Sequence, residues 1–107
     1  MKQFASEIGF ISILLGLQII DIDPPESANI YNSVGTPGNV YGVTISGGYA
    51  YVADGPSGLQ IIDIDPPEFA HIVGSVDTPG GAVEVAVWGS YGYVAAGSGG
   101  LRIIKLW

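Results

Sequence analysis

Hydrophobic positions over residues 40–80 fall in short runs, each cut off by glycine or proline. Val40 to Ser46 (VYGVTIS) is rich in β-branched residues and ends at Gly47-Gly48, and Tyr49 to Asp54 (YAYVAD) closes at Gly55-Pro56-Ser57-Gly58. Leu59 to Ile64 (LQIIDI) stops at Asp65-Pro66-Pro67, because two prolines cannot continue a hydrogen-bonded ladder. His71 to Val76 (HIVGSV) stops at Thr78-Pro79-Gly80. Runs of this length between turn residues predict strands, and their short connections predict consecutive antiparallel neighbours. LQIIDI does not alternate strictly. Ile61 and Ile62 point to opposite faces, which predicts a sheet covered on both sides.

The whole pattern occurs twice without insertion or deletion. Gly16 opens GLQIIDIDPPESANIYNSVGTPGNVYGVTISGGYAYVADGPS, and Gly58 opens GLQIIDIDPPEFAHIVGSVDTPGGAVEVAVWGSYGYVAAGSG. The copies agree at 25 of 42 positions, and Gly100 begins a third, GLRIIKLW. A fixed period of this size marks one supersecondary unit that stacks on its neighbours because it cannot bury its own faces. Four antiparallel strands per unit, covered on both sides, describe a propeller blade. The fold class predicted is all-β: four-stranded, propeller-like antiparallel blades with a 42-residue period, about two and a half of them in the chain. Residues 1–15 read as a degenerate N-terminal segment. Residues 16–34 read as a partial blade, 40–76 as a complete one and 82–107 as a second partial one.

Composition narrows the function more than the fold. Ten acidic residues against Lys2, Arg102 and Lys105 give a net charge of −7, which excludes binding along a nucleic-acid backbone. Such a surface suits solubility, a cationic partner or an extracellular setting rich in divalent cations. The chain has no cysteine, so disulfides and thiolate metal sites are excluded. Ile8 to Ile20 is apolar but too short to span a bilayer as a helix, and membrane insertion is not expected. Lys2 is offset by Glu7 and no small-x-small cleavage site follows, so the start does not read as a signal peptide. Ile8 to Leu15 reads instead as a degenerate strand from a preceding blade, without the ADGPS turn that precedes Gly58.

GLQIID, the Asp-Pro-Pro after it, GSVDTPG at Gly74 to Gly80 and YVADG at Tyr51 to Gly55 resemble the LVIVD repeat. That family occurs on bacterial and archaeal surface proteins and is expected to form β-propellers. The resemblance runs from Gly16 to the end. It implies that VYGVTIS is innermost in its blade, YAYVAD second, LQIIDI third and HIVGSV outermost. It also implies a cell-surface location, which the N-terminus does not independently support. Repeats of this kind specify fold far better than activity.

Candidate chemistry is sparse. Asp21, Asp23 and Glu26, with Asp63, Asp65 and Glu68, place carboxylates at the first and third positions of a calcium-type loop. The fifth position is proline and the sixth glutamate, where that loop needs glycine, so these residues are expected to cap a turn. Asp54 is matched by Ala96, Asn39 by Gly81, Tyr41 by Val83 and Gly42 by Glu84. These differences cluster at the entry to the inner strand, and Asn39, Tyr41, Asp54 and Glu84 are the candidate binding residues. Drift after duplication accounts for the same differences. His71 is a lone histidine, no serine has the G-x-S-x-G setting, and GSGG at Gly97 to Gly100 lacks the lysine of a phosphate loop. Tyr49, Tyr51, Tyr91 and Tyr93 either stack on sugars or pack between blades.

The expectation is a non-catalytic binding or scaffolding module with no metal and no cofactor. The alternatives are a lectin-like propeller using the tyrosine pairs and a hydrolase-like one using Asp54 and Glu84. Closed propellers have 4–8 blades, so the expected partner is the chain itself. A trimer contributing two blades per chain, or a dimer contributing three, would close at six.

Overall fold

The computed structural model describes residues 8–13, 16–21, 26 and 29–106. Among them ten strands appear: β1 (Ile8–Ile13), β2 (Gly16–Asp21), β3 (Asn29–Gly35), β4 (Gly42–Ser46), β5 (Tyr49–Ala53), β6 (Leu59–Asp63), β7 (His71–Val76), β8 (Glu84–Trp88), β9 (Tyr91–Ala95) and β10 (Leu101–Lys105). Short 3₁₀ turns lie at Pro67–Phe69 and Gly97–Gly99, and no α-helix occurs among the described residues. The strands make three antiparallel sheets, ordered β1-β2-β3, β4-β5-β6-β7 and β8-β9-β10.

The four strands predicted over residues 40–76 are present; His71–Val76 has the predicted bounds and the other three are shortened at an end. β5 stops at Ala53 because the Asp54 N–H turns away to the Gly58 carbonyl at 2.8 Å. β4 begins at Gly42, although Tyr41 still donates its N–H to the Ala53 carbonyl at 2.9 Å. The first sheet reaches further back than residue 16, since Ile8–Ile13 pairs along β2. Its register departs from that of the later copies. Ile13 lies opposite Gly16, whereas Ala53 lies opposite Leu59 across the Asp54–Gly58 loop that the first copy lacks. Residues 1–7 of the N-terminal segment lie outside the described residues.

The middle sheet is apolar on both faces and packed on both. Ala50, Val52, Ile62 and Ile64 meet Leu17, Ile19 and Val34 of the first sheet. Tyr51, Ala53 and Leu59, which alternate with them, meet Ala82, Val85 and Val94 of the third side. The period of two along β5 therefore divides one strand between two separate cores. Backbone contacts reinforce the second junction: Gly55 and Ala82 exchange N–H···O bonds at 2.9 and 2.8 Å, and the Thr44 hydroxyl donates to the Val85 carbonyl at 2.5 Å. The β4 and β8 edges are thus neighbours, consistent with a propeller-like stack.

In the first and second sheets the last strand presses on the glycine at the start of the strand beside it. A side chain at Gly16 would collide with the Val34 carbonyl, and one at Gly58 with the Val76 carbonyl. At Gly100, the third member of the series, no described residue lies within 4 Å of that position.

Burial predicts where the stack is fragile. Ile62→Ala, in the first inter-sheet core, is expected to cost about 2–5 kcal/mol in urea unfolding. Phe69→Ala, whose ring is 72% exposed on the turn, is expected to change stability by less than about 0.5 kcal/mol. Similar costs at both positions would contradict the packing.

Candidate functional site

The connections between sheets converge at one end of the stack. The segment after β3 (Thr36–Tyr41) leads from the first sheet to the second, and Asp77–Val83 leads from the second to the third. Both run against the loop that follows the second strand of the sheet they enter, Asp54–Gly58 and Ala96–Gly100 respectively.

Asp54 is fully buried in this crossing. One carboxylate oxygen accepts the Thr36 hydroxyl at 2.7 Å, and the other accepts the Gly38 N–H at 2.9 Å. Its own backbone closes the loop, with the N–H bonded to Gly58 and the carbonyl accepting from Ser57 at 3.1 Å. The side chain therefore fastens the incoming chain to the loop and has no surface to offer a ligand.

The second repeat keeps the receiving groups and loses the carboxylate. Thr78 and Gly80 stand where Thr36 and Gly38 stand one repeat earlier, but Ala96 replaces Asp54. The loop itself is unchanged in form, since the Ala96 N–H reaches Gly100 at 2.8 Å as Asp54 reaches Gly58. The Thr78 hydroxyl pays for the change: it is buried, in a residue 2% exposed, and has no hydrogen-bond partner among the described residues. Thr36, Gly38 and Thr78 were not among the expected residues. Their signal was present in the Thr-Pro-Gly retained by both copies opposite a position that varies.

The other candidates lie outside the clasp. Tyr41 is 59% exposed, and its ring lies over Gly55, where a Cβ would come within 3.0 Å of the ring edge and 3.1 Å of the Asn39 carbonyl. Asn39 is half-buried and Glu84 exposed, its carboxylate 3.6 Å from where a Cβ on Gly42 would sit. The structure thus brings Asn39, Tyr41 and Glu84 to one rim and removes Asp54 from it. A shallow depression of about 300 Å³ opens there, lined by Tyr41, Gly55, Pro56, Gly81 and Val83.

At the opposite end a cleft of about 660 Å³ runs between the second and third sheets, lined by Gly48, Tyr49, Tyr51, Ile61, Gly74 and Leu106. Tyr51 is buried and its hydroxyl has no partner among the described residues. Burial, and secondarily the neighbouring Tyr49, raise that hydroxyl's pKa above the ordinary tyrosine value of 10.0. The Tyr49 and Tyr51 rings lie 6.4 Å apart and tilted by 52°, which is packing geometry. Tyr51 is accordingly not a sugar-stacking platform, while Tyr49 and Tyr91 remain partly exposed.

The acidic turn behaves as a cap. The Asp65 N–H donates to Asp63 Oδ1 at 3.1 Å. His71 Nδ1 donates to the Phe69 carbonyl at 2.8 Å and is exposed. Residues 22–25, which hold the first copy's Asp23, lie outside the described residues, as does Trp107. Among the described residues no cluster of histidine and carboxylates has the spacing to hold a metal ion. No helix among them is long and apolar enough to cross a membrane.

The unit of this architecture is a crossover followed by the strands it feeds, and the LVIVD repeat model matches that unit at residues 37–78 and again at 79–105. The chain belongs to the LVIVD-repeat family. The first matched LVIVD repeat contains all of β4 to β7, so one family repeat corresponds to one sheet with its entry segment. No curated protein and no solved structure matches the chain.

Equivalent threonines should answer mutation with opposite signs. Thr36→Val is expected to destabilise by about 1–3 kcal/mol, because it removes a bond to a buried carboxylate. Thr78→Val is expected to be neutral or to stabilise by up to about 1 kcal/mol, because it deletes an orphaned hydroxyl. Urea titrations of both variants check this, and equal losses would contradict the asymmetry. A second consequence is alkaline. The raised Tyr51 pKa means that the unfolded chain loses this proton first, so the stability it represents is intact below pH 10.0 and is lost as pH rises beyond. Tyr51→Phe is expected to reduce that alkaline loss in unfolding curves recorded between pH 9 and 12.

Proposed function

We propose that this LVIVD-repeat chain is a non-catalytic binding or scaffolding module whose ligand-contacting surface is the rim of Asn39, Tyr41 and Glu84. The observation that carries this reading is their convergence beside the crossovers, at positions where the two copies differ. An exposed aromatic ring, an amide and a carboxylate beside a glycine-floored depression suit recognition of a small polar surface. Burial of Asp54 supports the non-catalytic side of the proposal. A carboxylate held by Thr36 and Gly38 cannot reach a substrate, which leaves Glu84 without the second acid that a hydrolase would need.

Within the same proposal a second copy completes the ring. On the third sheet's outward face Trp88 is 79% exposed and Leu101 and Ile103 are each 63% exposed. The counterparts of Leu101 and Ile103 in the middle sheet, Leu59 and Ile61, pack on the next sheet, where burying such a side chain stabilises by ~1.5–3 kcal/mol. The pairing of β1 with β2 and of β10 with β9 favours three sheets per chain, hence a dimer of six, over the trimer. The trimer scheme needs both of those edges free.

Light scattering at micromolar concentration is expected to give twice the 11.1 kDa of the chain, and Trp88→Asp to return it to the monomer mass. A cooperative, well-folded monomer of the unmutated chain would refute closure by a second copy. For the rim, a glycan and small-molecule array is the test. Binding lost in Tyr41→Ala and kept in Tyr49→Ala supports it, and the reverse result favours the lectin-like alternative. Turnover of a glycoside or ester panel, lost in Glu84→Gln, would overturn the non-catalytic assignment.

A further inference from the structure

We propose that the depression beside Tyr41 and Glu84 is a guanidinium site, which takes an arginine-type head group by stacking on the Tyr41 ring and pairing with the Glu84 carboxylate. It rests on the reading of this rim as a binding surface and names the chemistry that the surface binds.

Two unlike copies of the repeat are needed to make the site. Tyr41 and Val83 hold the same repeat position, as do Gly42 and Glu84. β4 and β8 bring these positions alongside one another, joined below by the Thr44–Val85 bond. The ring therefore comes from one copy and the carboxylate from the other. Two Tyr-Gly copies would have the ring without the carboxylate, and two Val-Glu copies the carboxylate without the ring. Gly42 lets the two coexist. Glu84 Oε1 lies 3.6 Å from where a Cβ on Gly42 would sit, next to the residue that carries the ring.

Hydrogen bonding says which ligand fits. The N–H groups of Tyr41, Gly55, Gly81, Ala82 and Val83 are all engaged inside the protein at 2.8–3.0 Å, and Pro56 has none. Acceptors are close by. The Asn39 carbonyl lies 3.1 Å from the Cβ position of Gly55, and the Val83 carbonyl 3.3 Å from that of Gly42. Charge points the same way. Glu84 and Asp77 are exposed at this end, and the buried carboxylate of Asp54, beside Gly55, is held by a hydroxyl and an N–H rather than by a cation. The described cations are placed elsewhere: an Arg102 guanidinium nitrogen lies 3.3 Å from the Cβ position of Gly99, and the Lys105 ammonium 5.3 Å from the Tyr91 ring centroid. Such a surface calls for a ligand that brings donors and positive charge. Guanidinium carries N–H donors and no acceptor, and its plane stacks on an exposed ring such as that of Tyr41. It is also more weakly hydrated than an ammonium, which favours it at a shallow, open site. The net charge of −7 draws it toward the protein.

Amide NMR titration with a blocked Gly-Arg-Gly peptide tests it, with the peptide's citrulline analogue as the neutral isostere. Shifts are expected at residues 39–42, 55–56 and 81–84. The arginine peptide is expected to bind about tenfold more tightly than the citrulline one, less so at high salt. Glu84→Gln is expected to remove most of that difference, and Tyr41→Leu to weaken the arginine peptide about two- to fivefold. Methylguanidinium is expected to shift the same residues; weaker binding than the peptide supports an arginine side chain as the source, and equal binding supports a free guanidinium compound. Equal affinities for the two peptides, shifts centred elsewhere, or undiminished preference in Glu84→Gln would each overturn the proposal. If the arginine peptide does not bind while a neutral ligand from the array is lost in Tyr41→Ala, the guanidinium assignment falls and the rim reading stands. If nothing binds the rim, both fall.

Discussion

A sheet with two apolar faces is the constraint on which everything else in this chain depends. β5 sends Ala50 and Val52 into one core and Tyr51 and Ala53 into another, so the middle sheet is stable only as the filling between two others. Conformational entropy costs roughly 1–2 kcal/mol per ordered residue, and a sheet that leaves an apolar face in water forgoes burial that would offset it. Repetition answers the problem directly: each unit supplies the cover that the unit before it lacks.

Stacking of this sort needs its sheets held in order, and the crossovers do that. The clasp of Asp54 on Thr36 and Gly38 ties the first junction, whereas the Gly55–Ala82 backbone bridge and the Thr44–Val85 bond tie the second. The loop keeps its form with or without the carboxylate, as Ala96 demonstrates. Buried polar groups acting as a set make the first junction specific, and the orphaned Thr78 marks where the set was broken. The difference between repeats is therefore a difference in how firmly neighbouring sheets are joined, in addition to a difference in surface.

Once Asp54 is assigned to structure, what remains on the surface separates into three regions with distinct chemistry. The rim of Asn39, Tyr41 and Glu84 is polar with one exposed ring, the outward face around Trp88 is apolar, and β10 is cationic within an acidic molecule. The family match covers the strands of the second and third sheets, and repeats of this kind specify fold far better than activity.

Strands, their antiparallel order and the double-faced burial of LQIIDI were legible in the sequence, because alternation and turn residues are local signals. The repeat made them firmer still, since each turn was read twice. Only the tertiary structure decided what the variable positions do. Asp54 reads as an exposed turn residue until Thr36, 18 positions away, is seen to bond to it. Tyr51 and Tyr49 look alike in the sequence, two residues apart on one face, yet Tyr51 is buried and Tyr49 partly exposed. Ile8–Ile13 lacks the turn that marks its counterparts, and pairing along β2 identifies it as a strand of the first sheet. In each case the deciding contact comes from a neighbouring strand, loop or sheet, and local periodicity carries no record of what packs against it.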